Sequence, residues 1–343
     1  MDEQQLTQLL TRFPDIHVLV VGDFFLDEYL LIDRRLSEIS LETGLEAYQV
    51  VDARNSPGAA GTVSSNLRSL GVQVTTLGVI SGDGRGYELR RRLMERGVNV
   101  EPLIVRDDRF TPTYTKPLVR EADGRQHEIQ RLDIKNRDPL PEEAEQAVIA
   151  RLREFVPDVH GVIIGDQVQE RNCGVITDRI RGELMALART HPDTVFAADS
   201  RERIGLFRDV IIKPNRREAV QAVYPDRGSD ASRSLLEACG EELYRRTGRP
   251  VFITVGAEGT LLFDAGGCDH IPAVPVRGPI DIVGAGDSVM AGLVSALCTG
   301  AEPAEAALVG NLVASITIQQ IGATGTATRR QVLDRFREFS RPN

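Results

Sequence analysis

Cysteine is scarce in this sequence of 343 residues, which contains only four. The cysteines are far apart and form no C-x-x-C motif. Their scatter argues against the disulfide framework of a small secreted domain and against a cysteine-based zinc site. The pattern indicates free thiols in a reducing cytoplasm. The four positions are Cys173, Cys239, Cys268 and Cys298.

Long apolar runs are also lacking. No run approaches the roughly 20 residues that a membrane-spanning helix needs. The first residues, MDEQQLTQLLTRFP, are polar and acidic. They lack the basic start and the apolar centre of a signal peptide. We therefore expect a cytoplasmic protein that does not act at a membrane.

An excess of positive charge is the third missing feature. The formal net charge is −9, whereas proteins that bind nucleic acid usually carry a basic surface. The densest basic cluster spans residues 85–96 and has Glu88 and Glu95 interleaved at helical spacing. Such a pattern is typical of a solvated helix face. We expect no nucleic-acid partner.

Short apolar runs alternate with segments of helical periodicity. In this pattern, strands that alternate with helices of roughly 10 to 15 residues predict βαβ units. Such units build a mostly parallel sheet with helices on both faces, which is a three-layer α/β/α fold. The predicted strands are 16–23, 72–81, 160–166, 194–200, 209–215 and 251–256.

Two segments, 29–54 and 112–133, interrupt the alternation because they contain strand patterns without helices. The second has Ala122-Asp123-Gly124-Arg125 between two alternating runs, which predicts a hairpin. We interpret both segments as excursions that join into a small β-sheet lid over an opening. Since no linker or repeat divides the chain, residues 1–343 are expected to form one domain.

The motif with the most chemical content is DIVGAGD, residues 281–287, which precedes a helical pattern. The amides at a helix N-terminus are unpaired and attract anions, and glycines let a phosphate approach the backbone. Asp287 at the same point could deprotonate a hydroxyl that attacks phosphorus. The alternative is a capped helix after a flexible turn, which is equally frequent for such a motif on its own.

This motif resembles the DTxGAGD signature of the ribokinase-like (PfkB) carbohydrate kinases. Four further segments are similar to elements of that family: KPNRRE (213–218), TVGAEG (254–259), QIGATGT (320–326) and GDFFLDEY (22–29).

Within the family, the sequence looks similar to the heptose 7-phosphate kinase domain of lipopolysaccharide heptose enzymes. RLSEIS (35–40), PTYTK (112–116) and QRLD (130–133) carry that likeness. The resemblance implies a ribokinase-like fold, and a sugar kinase that uses ATP and Mg²⁺. It also implies a homodimer formed through the lid.

On the phosphoryl side, the resemblance implies that Asp287 is the general base and that the amides of Gly284, Ala285 and Gly286 bind the phosphoryl group. A carboxylate ordinarily ionises at a pH of about 4, so Asp287 is expected to be charged at neutral pH. Asn215 and Glu218 would organise magnesium, although Glu218 could simply begin its helix. Residues implied to border the nucleotide are Thr254, Gly256, Gly259, Asn311 and Gly322; the first three could equally form a tight turn, and Asn311 could be an ordinary helix residue.

A monovalent cation such as K⁺ is implied at a site built mainly of carbonyl oxygens, from Asp281, Val283, Gly322 and Thr326. The acceptor sugar is implied to contact Asp27, Gly58, Lys116, Arg131 and Asp166. Lys116 and Arg131 could hold a phosphate on the acceptor, or could lie on an exposed β ribbon. Asp166 could bind ligand at its strand end or cap the next turn.

The sequence departs from the family pattern on the acceptor side. Ala59 stands where the family has a second glycine, and Thr62 where it has an asparagine that binds a sugar hydroxyl. The segment GDQVQERN (165–172) lacks an aromatic-Gly-Lys pattern. The acceptor thus stays open between heptose 7-phosphate, another sugar phosphate, a free hexose or pentose, and a nucleoside. A catalytically silent sugar-phosphate-binding regulator is the alternative from another class. A dehydrogenase is disfavoured because the first strand is not followed by G-x-G-x-x-G.

Overall fold

An eight-stranded sheet forms the centre of the computed structural model, which describes residues 1–121, 123–227, 232–322 and 324–340. Six neighbouring strands run parallel, and antiparallel pairing joins the last two strands to one edge. In spatial order the strands are β17 (Gly267–Ile271), β16 (Thr260–Asp264), β15 (Val251–Thr254), β14 (Ile211–Ile212), β13 (Val195–Ser200), β12 (Gly161–Asp166), β1 (His17–Gly22) and β6 (Gln73–Leu77).

Helices cover both faces of this sheet because its strands are apolar on both sides. In β1, Val18 and Val20 join one hydrophobic cluster, while Leu19 and Val21 join another. Adjacent side chains of a strand point to opposite faces. The first cluster includes side chains of α1 (Glu3–Arg12), α2 (Ala60–Ser69), α3 (Gly84–Glu95), α8 (Ala285–Cys298), α9 (Pro303–Thr317) and α10 (Arg329–Phe339). The second includes side chains of α4 (Glu142–Phe155), α5 (Asp178–Thr190), α6 (Arg216–Val223) and α7 (Arg233–Thr247). The predicted three-layer arrangement is confirmed.

The two segments that interrupted the alternation join in a second, five-stranded sheet. Its strands are β2 (Phe24–Asp33), β5 (Val50–Ala59), β9 (Thr113–Arg120), β10 (Gln126–Glu128) and β11 (Leu132–Ile134). Strands β9 and β10 pair antiparallel as the hairpin pattern indicates, while Ala122 of the turn lies outside the described residues. Two short pairs complete the strands: β3 (Glu38–Ile39) with β4 (Glu46–Ala47), and β7 (Val79–Ser81) with β8 (Ile104–Arg106).

The second sheet begins earlier and ends later than the predicted segments. Only Asp23 separates β1 from β2, and β5 continues beyond residue 54 to Ala59. The strand predicted at 209–215 is shorter in the structure, where β14 comprises only Ile211 and Ile212. It ends at Ile212 because Pro214 has no N–H to donate and Asn215 already caps α6. None of the helices described is long and apolar enough to cross a membrane.

Candidate active site

The first turn of α8 presents backbone amides next to the carboxyl ends of the parallel strands. Gly284 is the N-cap residue and has a φ of +77°, a left-handed conformation that favours glycine. The Ala285 N–H donates to the Ile282 carbonyl at 3.1 Å. Within the described chain, the amides of Gly284, Gly286 and Asp287 donate no hydrogen bond. These three amides, rather than the predicted set with Ala285, are available to an anion in the ligand-free protein.

Asp287 is half-buried in this turn and does not cap its helix. No donor among the described residues bonds to its carboxylate. The capped-helix alternative is therefore wrong for this carboxylate. Burial, followed by the charge of Asp199, raises the pKa of Asp287 to about 7, although Lys213 and Arg201 act in the opposite direction. Full ionisation at neutral pH, as the sequence suggested, does not hold for the free protein.

Asp199 and Lys213 lie beside this turn, and the sequence analysis assigned no role to either. The Lys213 Nζ atom is 2.8 Å from an Asp199 carboxylate oxygen, and Lys213 is 2% exposed. A Cβ atom placed on Gly286 would lie 3.4 Å from the same Nζ atom. The signal that could have found the lysine is its position in KPNRRE, directly after the apolar strand β14.

Asn215 and Glu218 form a capping box at the start of α6. The Glu218 N–H donates to Asn215 Oδ1 at 2.9 Å, and the Asn215 N–H donates to Glu218 Oε2 at 2.8 Å. The helix-start alternative for Glu218 is thus correct, and it leaves a magnesium role open. Burial and then the charge of Asp199 raise the pKa of Glu218 to about 7. Over the described residues, no group of three or more Asp, Glu, His or Cys side chains could hold a metal directly. The residues therefore fit only a magnesium ion held largely by water and phosphate oxygens.

The segment TVGAEG connects β15 to β16 as a tight turn. Thr254 ends β15, and Gly256 and Gly259 have positive φ values. A Cβ atom at Gly259 would lie 2.2 Å from the Ile271 carbonyl oxygen, so only glycine fits there. The tight-turn alternative is correct, and contact of these residues with a nucleotide stays a prediction.

Asn311 binds strands rather than facing solvent. Its Oδ1 atom accepts from Thr260 Oγ1 at 2.9 Å, and its Nδ2 atom donates to the carbonyls of Ile271 (3.3 Å) and Pro272 (3.1 Å). Both amide hydrogens are thus used inside the protein. The predicted contact with adenine would require one of these bonds to be exchanged, and it stays a prediction.

Three of the four predicted cation-site residues lie together. Asp281 accepts hydrogen bonds from the amides of Val283 (3.0 Å) and Gly322 (3.4 Å). The Thr326 carbonyl instead accepts from Gln320 Nε2 at 2.7 Å, so this oxygen is already engaged. Ala323 of the same loop lies outside the described residues.

Asp27 and Lys116 form a buried pair on neighbouring strands of the second sheet. Lys116 Nζ is 3.3 Å from Asp27 Oδ1 and donates to the Tyr29 hydroxyl at 3.2 Å. Burial raises the pKa of Asp27, and Lys116 opposes that shift. A Cβ atom at Gly58 would lie 3.0 Å from Asp27 Oδ2, so Gly58 makes room for this carboxylate. The exposed-ribbon alternative is therefore wrong for Lys116.

Arg131 stays partly exposed and stacks over Tyr114. Its guanidinium carbon is 4.2 Å from the ring centroid, and its Nε atom donates to Asp133 at 2.6 Å. Arg201, from the end of β13, is a cation that the sequence analysis did not identify. Its charge lowers the pKa of Tyr114 in the second sheet and of Asp287 in α8, and its Nη2 atom donates to Gln167 Oε1 at 3.4 Å. In the portion of the chain that is described, Arg201 has no carboxylate within ion-pair distance.

Asp166 is locked at the end of β12. It is 1% exposed, and it accepts hydrogen bonds from Ser200 Oγ (2.6 Å) and from Arg203 Nη2 (2.6 Å). It neither caps the next turn nor presents a free oxygen to a ligand, so its predicted contact with sugar would require this pair to open. Asp23 lies nearby and accepts three backbone amides, while burial raises its pKa to about 6.

Two of the three departures from the family pattern, Ala59 and Thr62, lie at the start of α2. Ala59 has φ +52° and ψ −121°, a conformation that glycine adopts readily and alanine does not. Its methyl group packs against the cluster of Phe25, Tyr114, Val168 and Cys173. The Thr62 hydroxyl donates to the Pro57 carbonyl at 3.2 Å, so it is engaged inside the protein.

Comparison with known proteins gives the following matches. A family model described as "pfkB family carbohydrate kinase" matches residues 31–329. The Bifunctional protein HldE of Trichlorobacter lovleyi is 30% identical over 336 residues, which are 97% of this chain and 65% of that protein. The protein of the same name from Geobacter metallireducens is 31% identical, with 97% and 65% covered. This chain thus spans slightly less than two thirds of these relatives.

Solved structures of low sequence identity share the fold. Phosphofructokinase-2 from Escherichia coli in complex with potassium matches with a TM-score of 0.71 and 18% identity, over 95% of this chain and 100% of that one. Arabidopsis thaliana ribokinase complexed with ribose and ATP gives 0.69 and 16%, over 93% and 98%. The ribokinase-like fold predicted from the motifs is confirmed, and the family model agrees with the predicted class of carbohydrate kinase. Since the family model covers most of the sequence, this chain belongs to the pfkB family of carbohydrate kinases.

Proposed function

We propose that this kinase transfers the γ-phosphoryl group of ATP to a hydroxyl of a sugar that already carries a phosphate, heptose 7-phosphate being one such acceptor. The observation that carries the proposal is the unbonded carboxylate of Asp287 beside the free amides of α8. An aspartate at the N-cap of a helix bonds to the backbone amides of the first turn. Asp287 is instead the third residue of α8, whose N-cap is Gly284, and its carboxylate stays available to an incoming hydroxyl.

The division of roles follows from this geometry. The amides of Gly284 and Gly286 bind the phosphoryl oxygens, and Asp287 orients the acceptor hydroxyl and takes its proton. Magnesium, when bound, neutralises charge on the phosphates, and Glu218 with Asn215 would hold its water ligands. The proton that leaves the hydroxyl ends on Asp287, whose pKa of about 7 suits a base that works near neutral pH.

A phosphate on the acceptor is supported by the cations around the second sheet. Lys116 and Arg131 already have carboxylate partners, Asp27 and Asp133. Arg201 has no such partner within the described chain, so its guanidinium can bind an anion without first breaking an ion pair. This guanidinium is the strongest support for a phosphorylated acceptor.

The second candidate function is a kinase whose acceptor carries no phosphate, such as a free hexose, a pentose or a nucleoside. Ala59 and Thr62 favour this candidate. Both positions lie where the family binds the sugar, and neither offers a side-chain group free for it. A silent regulator is less favoured, because a binder gains nothing from a half-buried carboxylate without a hydrogen-bond donor.

A cytoplasmic location and a homodimer belong to the same proposal. Large apolar side chains are exposed between residues 36 and 51, a stretch that contains the short β3–β4 pair and the start of β5. An exposed apolar patch of this kind supports pairing with a second copy of the chain. The mass of the protein in solution would check the dimer. The exposed side chains are Leu36, Ile39, Leu41, Leu45, Tyr48, Val50 and Val51.

The test is ADP release with a panel of acceptors: heptose 7-phosphate, fructose 6-phosphate, fructose, ribose and adenosine. We expect the phosphorylated sugars to have the highest kcat/KM. Loss of a general base ordinarily costs about 10²- to 10⁴-fold, so Asp287→Asn should lower kcat by that order. ATP binding should stay within a few-fold, and kcat/KM of the native protein should rise as pH passes through about 7.

The control is Asp193→Asn, which alters an exposed carboxylate far from α8 in the sequence and should change nothing. Equal turnover by the native protein and Asp287→Asn would refute the base assignment. Faster turnover of a free sugar or nucleoside than of any sugar phosphate would refute the acceptor class while leaving the base assignment intact.

A further inference from the structure

Tyr114 of the second sheet contacts two arginine side chains. In β9 it lies opposite Asp27 of β2 on one side and opposite Asp133 of β11 on the other. The guanidinium carbon of Arg131 lies 4.2 Å from the centroid of its ring. The side chain of Arg201 is hydrogen-bonded to its hydroxyl. One tyrosine thus connects an arginine next to β11 in the second sheet with an arginine that follows β13 in the central sheet.

Packing in the core does not account for the hydroxyl of this tyrosine. The ring meets Phe25 edge-on at a centroid distance of 5.1 Å, and Tyr114 is 9% exposed. A phenylalanine would fill the same space without burying a polar group. In the part of the chain that the structure describes, no carbonyl or carboxylate accepts a hydrogen bond from the hydroxyl. Buried hydroxyl groups need a partner, and here the partner is Arg201.

Arg131 keeps donors free for an anion even though it has a carboxylate partner. Its Nε and Nη2 atoms donate to the two oxygens of Asp133 at 2.6 and 2.8 Å. A guanidinium has more N–H groups than one carboxylate accepts, and Nη1 donates to none of the described residues. The second edge of the guanidinium can therefore bind an anion while the ion pair with Asp133 stays intact.

A phosphate monoester is the anion that suits two such groups. It carries a charge of about −1.5 to −2 at neutral pH and offers several acceptor oxygens. Burial raises the pKa of Asp27 and of Asp287, and the charge of Arg131 opposes this shift at Asp27 while that of Arg201 opposes it at Asp287. Each arginine thus acts on one of the two acids proposed to contact the acceptor.

We propose that Tyr114 is a positioning residue for an acceptor that carries a phosphate: its ring holds the guanidinium of Arg131 and its hydroxyl holds that of Arg201, so that both bind one phosphate group. This inference rests on the proposed function, since it takes the acceptor to be a sugar phosphate. It adds a residue that acts through the two arginines and not on the hydroxyl that reacts.

The test removes the hydroxyl of Tyr114 and keeps its ring. Steady-state kinetics would compare Tyr114→Phe with the native protein, using heptose 7-phosphate, fructose 6-phosphate and fructose as acceptors. Loss of the bond to Arg201 should raise KM for the sugar phosphates about three- to tenfold. KM for fructose, and kcat for every acceptor, should change less than about twofold, because the lost contact concerns only binding of the phosphate.

A double-mutant cycle separates positioning from packing. Because the hydroxyl acts through Arg201, Tyr114→Phe should add less than about twofold to the rise in KM that Arg201→Met causes by itself. Tyr114→Leu also removes the stacking with Arg131 and should raise KM for the sugar phosphates further than Tyr114→Phe does. Tyr87→Phe is the matched control, since that side chain is 67% exposed on α3, and it should leave every KM unchanged.

The outcomes separate this inference from the proposal on which it rests. An unchanged KM for the sugar phosphates in Tyr114→Phe, an equal rise for fructose, or additive effects of Tyr114→Phe and Arg201→Met would overturn the role of Tyr114 and leave the kinase proposal standing. No turnover of either sugar phosphate by the native protein, or faster turnover of fructose, would overturn the acceptor class and this inference with it.

Discussion

On the phosphoryl side of the site, the Asp287 carboxylate accepts no hydrogen bond from the described residues, whereas on the acceptor side Asp166 is held by Arg203 and Ser200. Asp166 is the last residue of β12, and Asp287 lies in the first turn of α8, beside the carboxyl ends of the same parallel strands. Asp287 is half-buried and Asp166 is fully buried. The environment, and not the residue type, decides which carboxylate is free to react.

The difference extends to the backbone of each side. The phosphoryl side consists of free backbone amides and of Gly284, whose left-handed conformation glycine adopts readily. These groups can bind a ligand without rearrangement. The acceptor side consists of side chains that already bind one another, such as Asp27 with Lys116. A ligand on that side has to exchange protein contacts for its own, which makes the acceptor harder to identify from the free protein.

The first prediction frees the locked carboxylate. In Arg203→Met, Asp166 stays buried without its charged partner, and removal of one partner of a buried pair ordinarily costs about 3–5 kcal/mol. We expect the free energy of unfolding to fall by that amount in chemical denaturation. Arg153→Met breaks an exposed pair with Glu183 and should cost less than about 1 kcal/mol. Equal losses in the two variants would contradict the contrast between the sites.

The second prediction removes the free carboxylate and concerns stability rather than activity. The folded-state pKa of Asp287 is raised to about 7, above an unfolded value of about 4, so the proton stabilises the fold. This contribution is complete below about pH 4 and is lost as pH rises through about 7. Asp287→Asn should therefore be more stable than the native protein by about 2 kcal/mol near pH 8, an amount reduced for partial exposure.

That difference should shrink as the pH falls towards about 4, where both proteins are neutral at this position. Thermal unfolding at several pH values would measure it. Glu218, whose pKa is also raised to about 7, is present in both proteins and does not affect the comparison. A variant less stable than the native protein near pH 8 would show that the Asp287 carboxylate makes stabilising contacts.

The third prediction restores the family's glycine on the acceptor side. The φ of +52° at Ala59 is strained for alanine, and such strain costs about 1–3 kcal/mol. Glycine relieves it but gains about 0.4–1 kcal/mol of conformational freedom in the unfolded chain. Ala59→Gly should therefore stabilise the protein by about 1 kcal/mol, measured by denaturant unfolding.

Ala150→Gly is the matched control for the same exchange. Ala150 is exposed within α4, where glycine should destabilise by about 1 kcal/mol. Destabilisation at both positions would mean that the Ala59 methyl group, packed beside Phe25 and Tyr114, outweighs the strain of its backbone.

The layers of the fold and the position of Asp287 followed from local sequence patterns. Strands such as β1 and β12 are buried on both faces, so their residues form continuous apolar runs that periodicity detects. The motif at 281–287 is local as well, because a helix start and its anion-binding amides are built from consecutive residues. These features need no knowledge of the tertiary structure.

The contacts between side chains from different strands could not be predicted in this way. Asp199 meets Lys213, and Asp166 meets Arg203, only because parallel strands end side by side. The role of Asn311 depends on packing against β16 and β17. A one-sequence pattern does not report such non-local partners. Their roles in binding nucleotide and sugar stay predictions.

The parallel pairing of β2 with β9 has a consequence for how the chain folds. The paired residues are 87 positions apart, and α2, β6 and α3 of the main layers lie between them. Contacts between such distant residues form slowly, since a long loop must close first. We therefore expect the second sheet to assemble late, on a central sheet that already brings its strands together. Amide hydrogen exchange during refolding should protect β1 and β12 before β2 and β9.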